Sequence, residues 1–108
     1  MKKRDALLGA LDLLVLKVVS RKPWMHGYAI LGEVRLLSDD VLRVEEGSLY
    51  PALHRMKGAG WLEARWTQGQ GRRKREYRLT SAGREQLARE EGRWRRITSA
   101  VDQVLEGA

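Results

Sequence analysis

The segment Gly47-Ser48-Leu49-Tyr50-Pro51-Ala52-Leu53-His54-Arg55-Met56 brings two hydroxyls, an imidazole and a guanidinium onto one short stretch of chain. Wound as a helix, it sorts into two faces. Leu49, Ala52, Leu53 and Met56 recur at i, i+3, i+4, i+7, the stripe that buries against a core. Gly47, Pro51, His54 and Gly58 fall on the opposite side, which is unusually slim, and Ser48, Tyr50, Arg55 and Lys57 edge it. Such a surface suits entry into a DNA major groove with phosphates touched on both walls. Ser48 lies in the first turn, where free N–H groups also favour phosphate. Tyr50 can pack its ring on the helix flank while its hydroxyl reaches a phosphate oxygen. Pro51 belongs to the slim wall, and His54 and Arg55 face outward toward base edges, Arg55 preferring guanine. The plainer alternative is a surface helix whose small residues fall together by chance.

A second cationic constellation follows. Gln70-Gly71-Arg72-Arg73-Lys74-Arg75 sets four consecutive cations behind glycines at a turn. Arg72, Arg73 and Lys74 there suit a loop lying along the DNA backbone or in the minor groove, against the alternative of a solvated basic loop. Lys and Arg number 21 against 14 acids, a net charge of +7 with pI near 10.2. That excess points to a polyanionic partner or an anionic membrane surface and is silent on fold. Catalysis finds no support. The chain has no cysteine and two histidines, which leaves no thiolate chemistry and poor material for a metal site. Asp39-Asp40 and Glu45-Glu46 are adjacent carboxylates pointing different ways, and Gly69-x-Gly71 lacks the strand-then-helix context of a phosphate loop. No enzyme, cofactor or metal is expected.

The elements that position these residues follow from patterning. Asp5 caps a first helix to about Ser20, ended by Arg21-Lys22-Pro23. It is apolar on nearly all sides, with Leu7, Leu11 and Leu14 on a face expected to meet a second subunit. Asp12 and Lys17 interrupt it, and it is shorter than the ~20 residues of a membrane span, so it reads as a buried helix of a cytoplasmic protein. A second helix spans about His26–Leu37, with Tyr28, Leu31 and Val34 predicted to face the core and His26 fixing its start. Val41–Val44 alternates as a short strand before the third helix, about Glu46–Lys57, which Gly58 and Gly60 end. Pro51 near the start of that helix costs less than in its middle.

From Trp61 the period changes to two. Leu62, Ala64 and Trp66 fall on the expected core side, Thr67–Gly71 turns, and Glu76–Leu79 returns. Trp61, Trp66 and Tyr77 divide between core packing and base stacking, with packing favoured because no single-strand groove is expected. Thr80 caps a last helix, about Ser81–Leu105, roughly 37 Å long. Leu87, Trp94 and Val101, with Ile97 and Val104, form seven-residue series along it, a seam broken at Glu90. The expected fold class is mainly α (α+β). It is a winged helix-turn-helix over 1–80 carrying a long dimerisation helix over 81–108.

Gly-Ser-Leu-Tyr-Pro-Ala-Leu-His-Arg-Met with Gly60-Trp61-Leu62 resembles the recognition-helix signature of PadR-type transcriptional regulators. Met25-His26-Gly27-Tyr28, then Arg73-Lys74-Arg75-Glu76-Tyr77-Arg78-Leu79-Thr80 with Gly83, sit where that family carries its other motifs. The resemblance covers roughly Leu7 to Leu105 and looks like the short type with a single C-terminal helix. It implies a homodimeric repressor on a pseudo-palindromic double-stranded DNA operator. Some relatives take planar aromatic effectors beside an aromatic of the last helix. Trp94 stands in that place, although packing at the subunit contact is its favoured role. Two other classes remain open, a winged-helix protein-interaction module and a sequence-blind basic binder of nucleic acid or membrane surfaces.

Overall fold

The computed structural model describes residues 3–69 and 71–107, with side chains from Ala10 onward. Four helices and three strands follow in the order α1 (Lys3–Arg21), β1 (Met25–His26), α2 (Gly27–Leu37), α3 (Glu46–Gly58), β2 (Leu62–Gly69), β3 (Arg72–Leu79) and α4 (Ser81–Leu105). The sheet is antiparallel with β3 in the middle, order β1-β3-β2. This is a winged helix-turn-helix with a long C-terminal helix.

Local chemistry sets the joints. His26 caps α2, its Nδ1 accepting from the Ala29 N–H at 3.3 Å. Thr80 caps α4, its Oγ1 accepting from the Gly83 N–H at 2.9 Å and donating to the Gly60 carbonyl at 2.6 Å. One hydroxyl thus ties the last helix to the end of α3. Gly83 completes that joint, since a Cβ there would fall 2.1 Å from the Trp61 carbonyl oxygen. Pro51 sits inside α3, further in than its first turn, and the helix runs through it.

The core gathers one face from every helix. Val15, Leu16, Val19, Ile30, Leu49, Leu53 and Met56 are fully enclosed, with Leu62, Tyr77 and Leu79 from the sheet and Leu87 from α4 around them. Burial raises the Tyr77 phenol above its ordinary pKa. No helix among the described residues is long and apolar enough to cross a membrane.

Several expectations are corrected here. Val41–Val44 forms no strand. The third strand is Met25–His26, where the extended residues before α2 pair with Tyr77 and Glu76. The 38–42 turn is instead held by Ser38 Oγ, which accepts from the Leu42 N–H at 2.9 Å, and by Asp40, which bridges Arg35 and Arg43. Those two guanidiniums, Arg43 first, lower the Asp40 pKa. Tyr28 is 66% exposed, and the inward face of α2 is Gly27, Ile30 and Val34. Trp66 is 53% exposed although Leu62 on the same side of β2 is buried. Leu11 and Leu87, expected at a subunit contact, are enclosed by their own chain. Leu14 is partly buried against that core, and Leu7 lies outside the described side chains.

Candidate nucleic-acid interface

Helix α3 turns its apolar stripe wholly inward. Leu49, Leu53 and Met56 are 0% exposed, which leaves Gly47, Tyr50, Pro51, His54, Arg55 and Lys57 on the surface with Ser48 half-buried. Tyr50 lies against the start of α2. A Cβ on Gly27 would fall 2.6 Å from the Tyr50 hydroxyl oxygen and 2.9 Å from its ring, so the bare glycine is what lets the ring settle there. Tyr28 stands beside it. The Glu46 carboxylate raises the Tyr28 phenol above its ordinary pKa, chiefly by hydrogen bonding. An open groove of about 650 Å³ separates this corner from the β2–β3 hairpin. His26, Gly27, Tyr28 and Tyr50 line one side, and Gly69 with Arg72, Arg73, Lys74 and Arg75 line the other.

The four cations lie on a strand, not in a loop. Gly69 pairs directly with Arg72 across the tip, where Gly71 holds φ +78°. The strand therefore assigns alternate cations to opposite faces. Arg73 and Arg75 share a face with Trp66, their guanidiniums 4.6 and 5.1 Å from its ring centroid. Trp66 stands beyond the Ala64–Tyr77 rung, where the hydrophobic core has ended, and cations cover it instead. Nearer the base, the other face is self-neutralised. Glu63 pairs with Arg78 at 3.0 Å and Glu76 with Arg65 at 2.9 Å, and Trp24 lies under both arginines at 4.9 and 4.1 Å. Among the described residues no acid pairs with Arg72, Arg73 or Lys74. Positive charge is thus concentrated at the hairpin tip.

Arg55 has an acidic partner within the chain. Its guanidinium grips Asp12 of α1 with both ends, Nη2 to Oδ1 at 2.7 Å and Nη1 to Oδ2 at 2.9 Å. It is not presented freely to bases. The Asp12 carboxylate strengthens the proton hold of Arg55 further. The only trace of this pair in the sequence is a lone acid interrupting an apolar helix. Tyr28, Trp66 and Arg75 also join this surface. Helical spacing points Tyr28 to the core, alternation points Trp66 to the core side, and Arg75 closes a cationic run whose first three members carry the expected contacts.

The model of the transcriptional regulator PadR-like family matches residues 15–89. The chain belongs to that family. It is 38% identical over 83 residues to the transcriptional regulator Rv3488 of Mycobacterium tuberculosis, covering 77% of this chain and 72% of that one. The structure superposes on a PadR family transcriptional regulator from Eggerthella lenta with TM-score 0.80 and 28% identity, over 96% of this chain and 88% of that one. A PadR-like regulator from Bacillus cereus gives TM-score 0.80 and 27% identity, over 96% and 99% of the two chains. The protein is a transcriptional regulator and not an enzyme. The described residues contain no group of side chains able to hold a metal ion.

One surface of this PadR-type chain is apolar instead of charged. Trp94, Ile97, Val101, Val104 and Leu105 are 44 to 79% exposed along the distal half of α4. Glu91, just before that stripe, anchors α4 to α1 through Lys17 at 3.1 Å and also meets Arg95 at 3.2 Å. These cations, Lys17 foremost, lower the Glu91 pKa.

Proposed function

We propose that this chain is a cytoplasmic homodimeric repressor that binds a pseudo-palindromic duplex operator. Helix α3 enters the major groove and the β2–β3 wing lies on the backbone or in the minor groove. The observation that carries this reading is the groove in which Tyr28 and Tyr50 face Arg72–Arg75. The Tyr50 hydroxyl and a band of cations converge there without an acid at the wing tip, the chemistry of a phosphate backbone seat. Ser48, Tyr50, Arg72, Arg73 and Lys74 hold phosphates, Pro51 keeps the helix slim, and His54 and Arg55 are the side chains that address bases. Residues 1–80 form the DNA-binding unit and 81–108 the dimerisation helix, whose root at Gly83 and Leu87 is buried.

Dimerisation uses Trp94, Ile97, Val101 and Val104, because an exposed apolar row on a long helix calls for a matching one. Leu14 of α1 joins the same contact, and Trp94 packs there in preference to holding an aromatic effector. Fluorescence polarisation on the duplex upstream of the chain's own gene, against random duplex and across salt, tests the reading. Tight promoter-dependent binding is expected. Weak binding that ignores sequence would return the chain to the class of basic surface proteins.

A further inference from the structure

We propose that Asp12 is a specificity-determining residue, one that withholds the Arg55 guanidinium from sequence-blind contact with DNA. This rests on the DNA-binding reading above. Asp12 occupies α1, outside the reading helix, yet its carboxylate takes both ends of the Arg55 fork at 2.7 and 2.9 Å. The two partners differ in freedom. The Arg55 side chain is 57% exposed and the Asp12 side chain 22%, so the cation can swing out while the carboxylate stays held in the α1–α3 joint.

An exposed pair of this kind contributes little to folding. Its chemical consequence is larger. A phosphate or a guanine edge offers the guanidinium the same two-point partner that Asp12 already supplies. Protein and DNA therefore compete for one group. In a loosely seated complex, with phosphates at the distance of the wing, Asp12 keeps Arg55. Only when α3 lies deep in the groove, seated through Tyr50 and His54, does an acceptor come close enough to take it. Asp12 thus lowers affinity for every duplex, and for random duplex most.

The test is polarisation across salt on promoter and random duplex with wild type, Asp12→Asn, Arg55→Ala and the double variant. Asp12→Asn is expected to bind random duplex about three- to fivefold tighter, within the range of exposed ion pairs. Its slope of log K against log salt steepens by about one, for one further phosphate neutralised. The promoter gains less, so the promoter-to-random ratio falls. In the Arg55→Ala background the Asp12→Asn gain disappears. Arg55→Lys, which keeps the charge but cannot hold both carboxylate oxygens in a fork, also tightens random binding and carries the test alone if Asp12→Asn loses its melting transition. A gain that persists undiminished without Arg55 would reduce Asp12 to simple charge repulsion and overturn the proposal. So would an Asp12→Asn variant that binds like wild type, or more weakly on both duplexes. A wild-type protein that ignores promoter sequence sinks the DNA-binding reading itself, a different result.

Discussion

Helix α3 encloses its whole apolar stripe within the protomer, whereas α4 does so only near its root. In α3, Leu49, Ala52, Leu53 and Met56 are all buried and the outward side is polar. In α4, Gly83 and Leu87 are buried, but from Trp94 onward the apolar row faces outward. The contrast separates two kinds of partner. A helix with no apolar surface left to hide meets a hydrated, charged polymer, and contributes hydroxyls and cations. A helix with a continuous apolar row in water meets another apolar row. The two helices thus present different surfaces, and α1 touches both through Asp12–Arg55 and Lys17–Glu91.

The largest expected effects fall on that contrast directly. Trp94→Ala should cost about 3–5 kcal/mol of dimer stability while leaving helix content intact. Leu53→Ala should instead cost about 2–5 kcal/mol of folding stability, because its side chain fills the protomer core. Light scattering and chemical denaturation separate the two outcomes. If both variants lose folding stability alike, the distinction between the helices collapses. Gly83→Ala comes next. Its methyl meets the Trp61 carbonyl, and forcing backbone apart typically costs about 1–3 kcal/mol. An unchanged melting temperature would show that the root of α4 is looser than its geometry.

The wing supplies a smaller effect, read in salt and not in stability. Neutralising Arg72, Arg73 and Lys74 together should flatten the slope of log K against log salt, with the fold unchanged. The expected change is roughly one for each phosphate that the wing no longer neutralises. A slope equal to wild type would make those cations solvent-facing bystanders. The smallest effect is at the joint of α4 with α1. Because Lys17 and Arg95 depress the Glu91 pKa, its stabilisation is present above the ordinary carboxylate value and is lost as pH falls through the depressed one. Glu91→Gln should therefore lower stability by under about 1 kcal/mol at neutral pH and by nothing in acid. A deficit that does not shrink with acidification would assign the effect to packing.

The helices and the hairpin are legible in the sequence because each rests on a local pattern. The stripe of α3, the capping threonine before α4 and the alternation from Trp61 need no distant partner to be read. What escapes such reading depends on geometry between elements. The spacing of Tyr28 with Leu31 and Val34 points it at the core, yet the His26 cap fixes a helix whose inward face is Gly27, Ile30 and Val34. Trp66 alternates correctly with Ala64, but the core stops one rung short of it, a matter of how far the other helices reach. Val41–Val44 has strand-like residues but forms no strand, while Met25–His26 pairs with β3. Arg55 faces outward on any helical wheel, and only the fold brings Asp12 beside it. The site is therefore visible in the sequence as a surface of the right chemistry, and its internal competition is not.

The central claim is that two copies of this chain, joined along α4, set two α3 helices into successive major grooves on one side of the duplex. Hydroxyl-radical footprinting of the saturated complex on the upstream duplex tests it most directly. Two protected patches on the same face, centred about 34–36 Å apart, are the expected result, since that is one turn of the double helix. A single patch, or uniform protection without a helical period, would contradict the account.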